Sequence, residues 1–200
     1  MKKILLCLCL LFGYSVANDK NGLFLGLEFG ISEINLKVSS QAGGGKIKLS
    51  APMYGLKAGY RHFFTDLIGL QGYFSFKDSF FNGKYNILSA NNSASMHFMP
   101  FMANADVIFD FYKANEISFD AILGVGLGMA MLDDNLIGAQ QDSYTAFYSD
   151  ARVGLGINSN NNRVGLNIAF PIAQATKSVQ GIDYKMKQNY IVSLTYDYKF

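Results

Sequence analysis

The sequence predicts an all-β protein, an eight-stranded antiparallel transmembrane β-barrel with up-and-down topology. Three observations support this fold class. The chain begins with an apolar segment typical of export signals, eight later stretches carry an apolar residue at every second position, and the connections between them alternate between short and long. A period of two is the signature of a β-strand, and an even number of strands of about ten residues is typical of outer-membrane barrels.

The N-terminal segment has the three parts of a secretory signal peptide. Two lysines precede the apolar run ILLCLCLLFGYSV, which is followed by a small residue at Ala17. This pattern predicts a signal peptide at residues 1–17, cleaved between Ala17 and Asn18 and exported through the Sec pathway, followed by one barrel domain at residues 18–200. An uncleaved membrane anchor is disfavoured because a spanning helix needs about 20 apolar residues.

The composition excludes several classes of partner and cofactor. Cys7 and Cys9 both lie in the predicted signal, so no disulfide is expected in the mature chain. Removal of the signal also removes two lysines and leaves 15 basic against 15 acidic residues. This balance gives no reason to expect a nucleic-acid partner. The acidic stretch LDDNLIGAQQD lacks the spacing of a calcium loop, and no cofactor or metal site is predicted.

Eight stretches alternate between an apolar face and a face of small or polar residues. The fifth is the clearest, because apolar residues from Ile117 to Met131 alternate with a second set that contains Glu116, Asp120 and three glycines. The apolar sets lie, in chain order, at residues 23–31, 54–60, 68–76, 99–109, 117–131, 147–157, 164–170 and 190–200. Each stretch therefore predicts one strand.

The second face of these strands indicates that the apolar face points outward. In a soluble β-sandwich the apolar face packs inward, and the other face would carry long polar side chains. Here the second face alternates glycines with isolated charges, which suits the narrow interior of a small barrel. We therefore predict that the apolar face contacts lipid. A soluble all-β domain is the alternative.

The connections give an independent prediction of orientation. Short connections are expected at residues 64–66, 112–115 and 158–162. Longer ones are expected at about 37–51, 78–95, 133–143 and 173–186. Outer-membrane barrels have short periplasmic turns and longer exterior loops. Both termini are therefore expected in the periplasm, with four loops on the exterior.

Charged residues on the second face predict a filled lumen. A barrel of eight strands is just wide enough to be filled by its own side chains, and an unpaired buried charge costs several kcal/mol. Both signs occur in similar numbers, which favours an internal salt-bridge network. A narrow polar conduit for ions or small solutes is the alternative. The predicted network consists of Glu28, Lys57, Arg61, Lys77, Asp106, Asp120, Asp150, Arg152 and Asp197.

The predicted exterior region carries two further features. The first long connection contains Lys37, Lys46 and Lys48, which could neutralise phosphates of the outer leaflet. The favoured interpretation of this connection is a solvated, flexible loop. Outer-membrane lipid and lipopolysaccharide are the expected partners. Ser95 and His97 lie two positions apart near the exterior end of the fourth strand. A hydrolase would also need an orienting acid, and none lies nearby in the sequence. Enzymatic activity is therefore not predicted.

Several stretches resemble the Helicobacter outer membrane protein family. They include YGLKAGYRHFF, FMANADVIFDFY, ILGVGLGMAML and the hairpin ARVGLGINSNNNRVGLNIAFPI, and the resemblance covers about residues 22–200. Members of that family include adhesins and proteins proposed as porins. The large adhesins carry an exterior domain after the first strand, where this sequence has only the connection KVSSQAGGGKIKLSA. The resemblance therefore implies a barrel without the host-binding part.

The last strand, YIVSLTYDYKF, also resembles the C-terminal signal that the barrel-assembly machinery reads in outer-membrane proteins. The resemblance assigns this role to Tyr196, Tyr198 and Phe200. The expected function is that of an outer-membrane β-barrel of a Gram-negative bacterium with a non-enzymatic structural or surface-interaction role. A small-solute channel is the second hypothesis and an outer-leaflet lipid-modifying enzyme the third. The sequence identifies no host or surface ligand.

Overall fold

The computed structural model describes seven ranges of the chain: residues 20–40, 43–87, 90–114, 116–134, 142–172, 174–179 and 182–200. The predicted signal peptide at 1–17, and its cleavage between Ala17 and Asn18, lie outside the described residues. Within these ranges, no helix is long and apolar enough to span a membrane.

The described residues form nine β-strands in one closed antiparallel sheet. The strands are β1 (Gly22–Ser40), β2 (Gly43–Phe63), β3 (Ile68–Ile87), β4 (Ala90–Ala114), β5 (Ile117–Asp134), β6 (Asp142–Ser159), β7 (Asn162–Pro171), β8 (Gln174–Val179) and β9 (Ile182–Lys199). From β1 to β7, each strand pairs with the next in sequence, and β1 also pairs with β9, which closes the barrel. Both β7 and β8 pair with β9. They are therefore two segments of one barrel strand, and the barrel has eight strands, as predicted.

The outer wall of the barrel carries the predicted apolar faces. On β5, Leu123 is 65% exposed and Val125 55%, whereas Ile122, the residue before Leu123, is 5% exposed and points inward. Tyr196, Tyr198 and Phe200 lie on the same outer wall, at the barrel end where Phe200 pairs with Leu23. Such a continuous apolar outer surface requires lipid around it.

The prediction of four long loops is wrong for three of them. The stretch 37–51 belongs to β1 and β2 except for residues 41–42, and the stretch 78–95 belongs to β3 and β4 except for residues 88–89. The stretch 173–186 contains β8 and the start of β9. For the stretch 133–143, the structure describes only the strand ends. The short turn predicted at 158–162 is confirmed, with Asn160 at φ 51°.

The missed strand segments have a common cause: the alternation of polarity reverses along them. In β2, Leu49 and Ala51 point inward and are buried, whereas Lys48 and Ser50 point outward and are exposed. Beyond the bilayer the outer wall meets water, so the apolar residues belong inside. The strands continue past the membrane, but their pattern changes phase where the solvent changes.

Candidate functional site

Ion pairs centred on Arg163 lie in one half of the lumen, at the barrel end where residue 20 and Phe200 are found. The Arg163 guanidinium donates to both carboxylate oxygens of Asp120, Nε to Oδ2 at 2.8 Å and Nη2 to Oδ1 at 2.7 Å. Its Nη1 lies 3.6 Å from Oδ2 of Asp197. Bidentate pairs of this kind hold both side chains in one geometry. Arg163 therefore links β5 with β9 across β6 and β7.

Asp197 is shared with two further bases on β2. Lys57 Nζ lies 2.8 Å from Asp197 Oδ1, and Arg61 Nη2 lies 3.4 Å from Oδ2. Arg61 also donates to Oε1 of Gln71, whose amide donates to Asp106 at 2.8 Å. These contacts carry the network from β9 to β4.

A second centre lies around Arg152. Its Nη2 is 2.5 Å from Asp150 Oδ1, and its Nη1 is 3.8 Å from Asp106 Oδ1. The same guanidinium contacts the Tyr73 hydroxyl and the Asn104 side-chain oxygen. Asp106 therefore joins the two centres, since it contacts both Arg152 and Gln71.

The remaining pair joins β1 and β3. Lys77 Nζ lies 3.2 Å from Glu28 Oε1, and the same oxygen accepts a hydrogen bond from the Ser193 hydroxyl at 2.6 Å. All nine charges predicted for the lumen are buried, and each has an ion-pair partner.

Arg163 is a central lumen residue that the predicted network omitted. It is 1% exposed, and it lies one position before Val164 on the alternating seventh pattern, so the inward phase of that strand could have identified it. With Arg163 the network contains five bases and five acids, and its formal charge is zero. A neutral, paired set reduces the cost of burying so many ions.

Glycines make room for these large ionic side chains. At Gly156, an added Cβ would lie 2.5 Å from Nη2 and 2.7 Å from Cζ of Arg163. At Gly126, it would collide with Arg152 and Asn104. Gly156 and Gly126 therefore leave the spaces into which guanidinium groups from the neighbouring strands fit.

An apolar layer fills the opposite half of the lumen. Its largest members are Phe81, Phe98 and Tyr148, which are 0%, 5% and 4% exposed. The layer consists of Ile34, Leu49, Ala51, Phe81, Met96, Phe98, Met102, Ala130, Leu132, Tyr148 and Met186. We call it the apolar layer. The sequence pattern did not predict this layer because most of its members lie at or near the strand segments assigned to loops.

The two halves of the lumen differ in the volume of empty space that they contain. A cavity of about 270 Å³ opens at the end near residue 20, and Arg61 and Asp197 lie at its inner wall. Beside the apolar layer, between Phe98 and Tyr148, a void measures about 20 Å³. This is room for about one water molecule.

The outer wall carries a polar cluster centred on Asp78. Its Oδ2 accepts a hydrogen bond from the Tyr54 hydroxyl at 2.5 Å, and its Oδ1 contacts Nε2 of His97. The structure thus supplies the acid that the sequence did not place near His97. Among the hydrogen bonds of the described residues, none joins Ser95 to His97. The cluster therefore lacks the nucleophile–base contact of a hydrolase.

Potential metal ligands are not clustered in this part of the molecule. Among the described residues, no group of three or more histidine, cysteine, aspartate or glutamate side chains could hold a metal ion. Every acidic side chain of the lumen has a basic partner, which leaves the carboxylates engaged.

A closed barrel with an apolar outer wall and a filled interior defines a transmembrane β-barrel of the outer-membrane class. The sequence profile of the family described as Helicobacter outer membrane protein matches residues 55–200. The chain belongs to this family, which confirms the resemblance, and its location is the cell outer membrane. The short turns, including Asn160–Asn161, therefore lie at the periplasmic end and the long hairpins at the exterior end.

No curated protein matches the chain in sequence. Several solved structures are similar to the chain at low sequence identity. Neisserial surface protein A has 16% identity and a TM-score of 0.48, over 90% of this chain and 97% of that one. The attachment invasion locus protein Ail of Yersinia pestis has 16% identity and a TM-score of 0.37, over 86% and 98%. The outer membrane protease OmpT from Escherichia coli has 10% identity and a TM-score of 0.49, over 94% and 99%. Likeness at this level carries nothing about what the chain binds or catalyses.

Proposed function

We propose that the protein is a non-conducting, non-enzymatic outer-membrane barrel whose role is structural or lies in contacts of its outer surface. The observation that carries this proposal is the filling of the lumen in two layers. The ion pairs occupy the periplasmic half, and the apolar layer occupies the exterior half.

The two layers oppose conduction for different reasons. An ion that entered from the periplasm would have to displace a paired group such as Arg163 from Asp120, whose bidentate contact is buried. Separation of a buried ion pair costs several kcal/mol. Beyond it, the ion would cross a layer of mainly apolar side chains such as Phe81 and Phe98, which cannot replace the water that the ion would lose. A conducting path would require both layers to rearrange.

The discriminating experiment is single-channel recording of the refolded protein in a planar bilayer. Folding is verified by heat-modifiable electrophoretic mobility, and a porin of known conductance in the same membrane serves as a positive control. We expect no discrete current steps from the folded protein. Reproducible steps that disappear on heat unfolding would sink the proposal and establish the channel hypothesis.

The lipid-modifying hypothesis is tested separately at the outer wall. The contact between His97 and Asp78 is the observation that justifies a test of this hypothesis. Lipid A is analysed by mass spectrometry from three cell cultures. The first expresses the wild-type protein, the second expresses the Ser95→Ala variant, and the third expresses neither. We expect identical acylation in all three. A mass change that requires the protein and is lost in Ser95→Ala would show that the barrel is an enzyme.

A further inference from the structure

The outer wall formed by β2, β1 and β9 changes polarity in successive rows toward the exterior. In each row, an outward residue of β1 lies between its backbone partners on β2 and β9. The lower rows are apolar and belong to the lipid-facing band. In order from the periplasmic side, they are Leu56–Leu27–Tyr196, Tyr54–Phe29–Leu194 and Pro52–Ile31–Val192.

The next row marks the edge of the apolar band. Glu33 lies between Ser50 and Tyr190. Its carboxylate accepts hydrogen bonds from the Tyr190 hydroxyl at 3.0 Å and from the Asn189 amide at 2.7 Å. A Lys48 ammonium lies 3.0 Å from the same carboxylate. Tyrosine with its ring toward lipid and its hydroxyl toward polar groups is typical of the membrane interface.

Two basic rows follow directly above this edge. In the first, Asn35 lies between Lys48 and Lys187, and in the second, Lys37 lies between Lys46 and Lys185 in the backbone register. The side chains of Lys37, Lys46, Lys48 and Lys187 are exposed. Of these four, only Lys48 makes an ion pair within the described ranges, and its partner is Glu33.

Like charges directly opposite each other on neighbouring strands are unfavourable. Lys37 lies between two lysines in the backbone register. Among the side chains that the structure describes, no acid forms an ion pair with Lys37 or Lys46, and Glu33 pairs with Lys48 alone. The two basic rows therefore form a surface that is stabilised when an external anion binds. The position of the rows identifies that anion, because lipid phosphates lie immediately above the acyl chains.

We propose that the outward face of β1, β2 and β9 binds a phosphorylated lipid of the outer leaflet, with Lys37, Lys46 and Lys187 contacting its phosphates. The acyl chains of the same lipid lie against the apolar rows below, from Ile31 down to Leu27. A diphosphorylated glycolipid, the membrane anchor of lipopolysaccharide, has this chemistry. The surface is strand rather than loop, so the lysines are held at fixed spacing. This site is independent of the proposed closed lumen.

The test is native mass spectrometry of the folded protein in detergent, titrated with diphosphoryl lipid A. The proteins compared are the wild type, Lys46→Gln, and the triple variant Lys37→Gln/Lys46→Gln/Lys187→Gln. The matched control is Lys113→Gln, because Lys113 is exposed at the periplasmic end of β4. Each lysine near a membrane surface contributes roughly fivefold in affinity. We expect about fivefold weaker binding for the single variant, roughly a hundredfold for the triple variant, and no change for the control.

Three outcomes would overturn the proposal. Equal affinity of the wild type and the triple variant for lipid A would show that these lysines do not contribute to binding. Equal weakening by Lys113→Gln would indicate a general charge effect. Inorganic phosphate that binds as tightly as lipid A would exclude the lipid as the source of the anion. Heat-modifiable electrophoretic mobility verifies that every variant is folded. The lipid-binding result does not depend on the channel recordings, which test the lumen.

Discussion

Arg163 and Asp120 meet through two parallel hydrogen bonds, at 2.8 and 2.7 Å, and both side chains are 1% exposed. They come from β7 and β5, which are separated in the barrel by β6. Their contact therefore passes over β6 on the lumen side and does not run along one strand pair. Such pairs tie non-adjacent strands together, which the hydrogen-bond ladder alone does not do.

Removal of Arg163 is expected to destabilise the barrel strongly. Arg163→Ala leaves Asp120 buried without its cation, which costs about 3–5 kcal/mol. The free energy of unfolding is measured by urea titration in lipid vesicles. The double variant Arg163→Met/Asp120→Leu removes both charges, and we expect it to recover most of the loss. A single variant as stable as the wild type would contradict the role of the pair.

Two glycines offer a matched test of how tightly the lumen is packed. Gly156→Ala places a methyl group 2.5 Å from the Arg163 guanidinium. We expect the free energy of unfolding to fall by about 1–3 kcal/mol. Gly72→Ala on the outer wall meets its nearest atom, the Asn104 carbonyl oxygen, at 3.9 Å. We expect it to be neutral or slightly stabilising, since alanine restricts the unfolded chain. Equal unfolding free energies for the two variants would show that the lumen is loosely filled.

Two adjacent phenylalanines on β3 point to opposite sides of the barrel wall, one into the apolar layer and one outward. Phe81 is 0% exposed and Phe80 52%. Phe81→Ala is expected to cost about 3–5 kcal/mol and Phe80→Ala about 1 kcal/mol, as measured by urea unfolding. We also expect Phe81→Ala to remain electrically silent, because the ion pairs stay in place. Similar losses at both positions would argue against a packed exterior half of the lumen.

The depth of lipid contact is tested on β5. Leu123→Arg introduces a charge near the middle of the apolar band, where arginine costs about 2–4 kcal/mol. Ile117→Arg introduces the same charge at the periplasmic edge, where the cost is about 0–1 kcal/mol. Both wild-type side chains are exposed, at 65% and 44%. Unfolding free energies in vesicles should rank the variants in this order, and the reverse order would place the membrane elsewhere on the barrel.

Much of the fold was predictable because one physical contrast dominates the sequence. Within the bilayer, lipid surrounds one face and a narrow lumen the other, so alternation identified the inward positions of residues such as Lys57 and Asp106. Which charge pairs with which could not be read from the pattern, because Arg163 and Asp120 lie far apart in the chain. The apolar layer was missed for a different reason: in segments such as Lys48–Ala51 the outer solvent is water, and the same strand reverses its pattern.

The continuation of the strands beyond the membrane has a consequence for any molecule that meets the cell surface. A transmembrane strand needs about 9–11 residues, whereas β2 has 21 and β4 has 25. About half of each strand therefore stands outside the bilayer, paired with its neighbours and packed on a core of its own. A partner that touches these hairpins meets a preorganised surface. Its association would lose little affinity to the ordering of mobile loops, and substitutions inside the barrel would change the outer surface only by unfolding it.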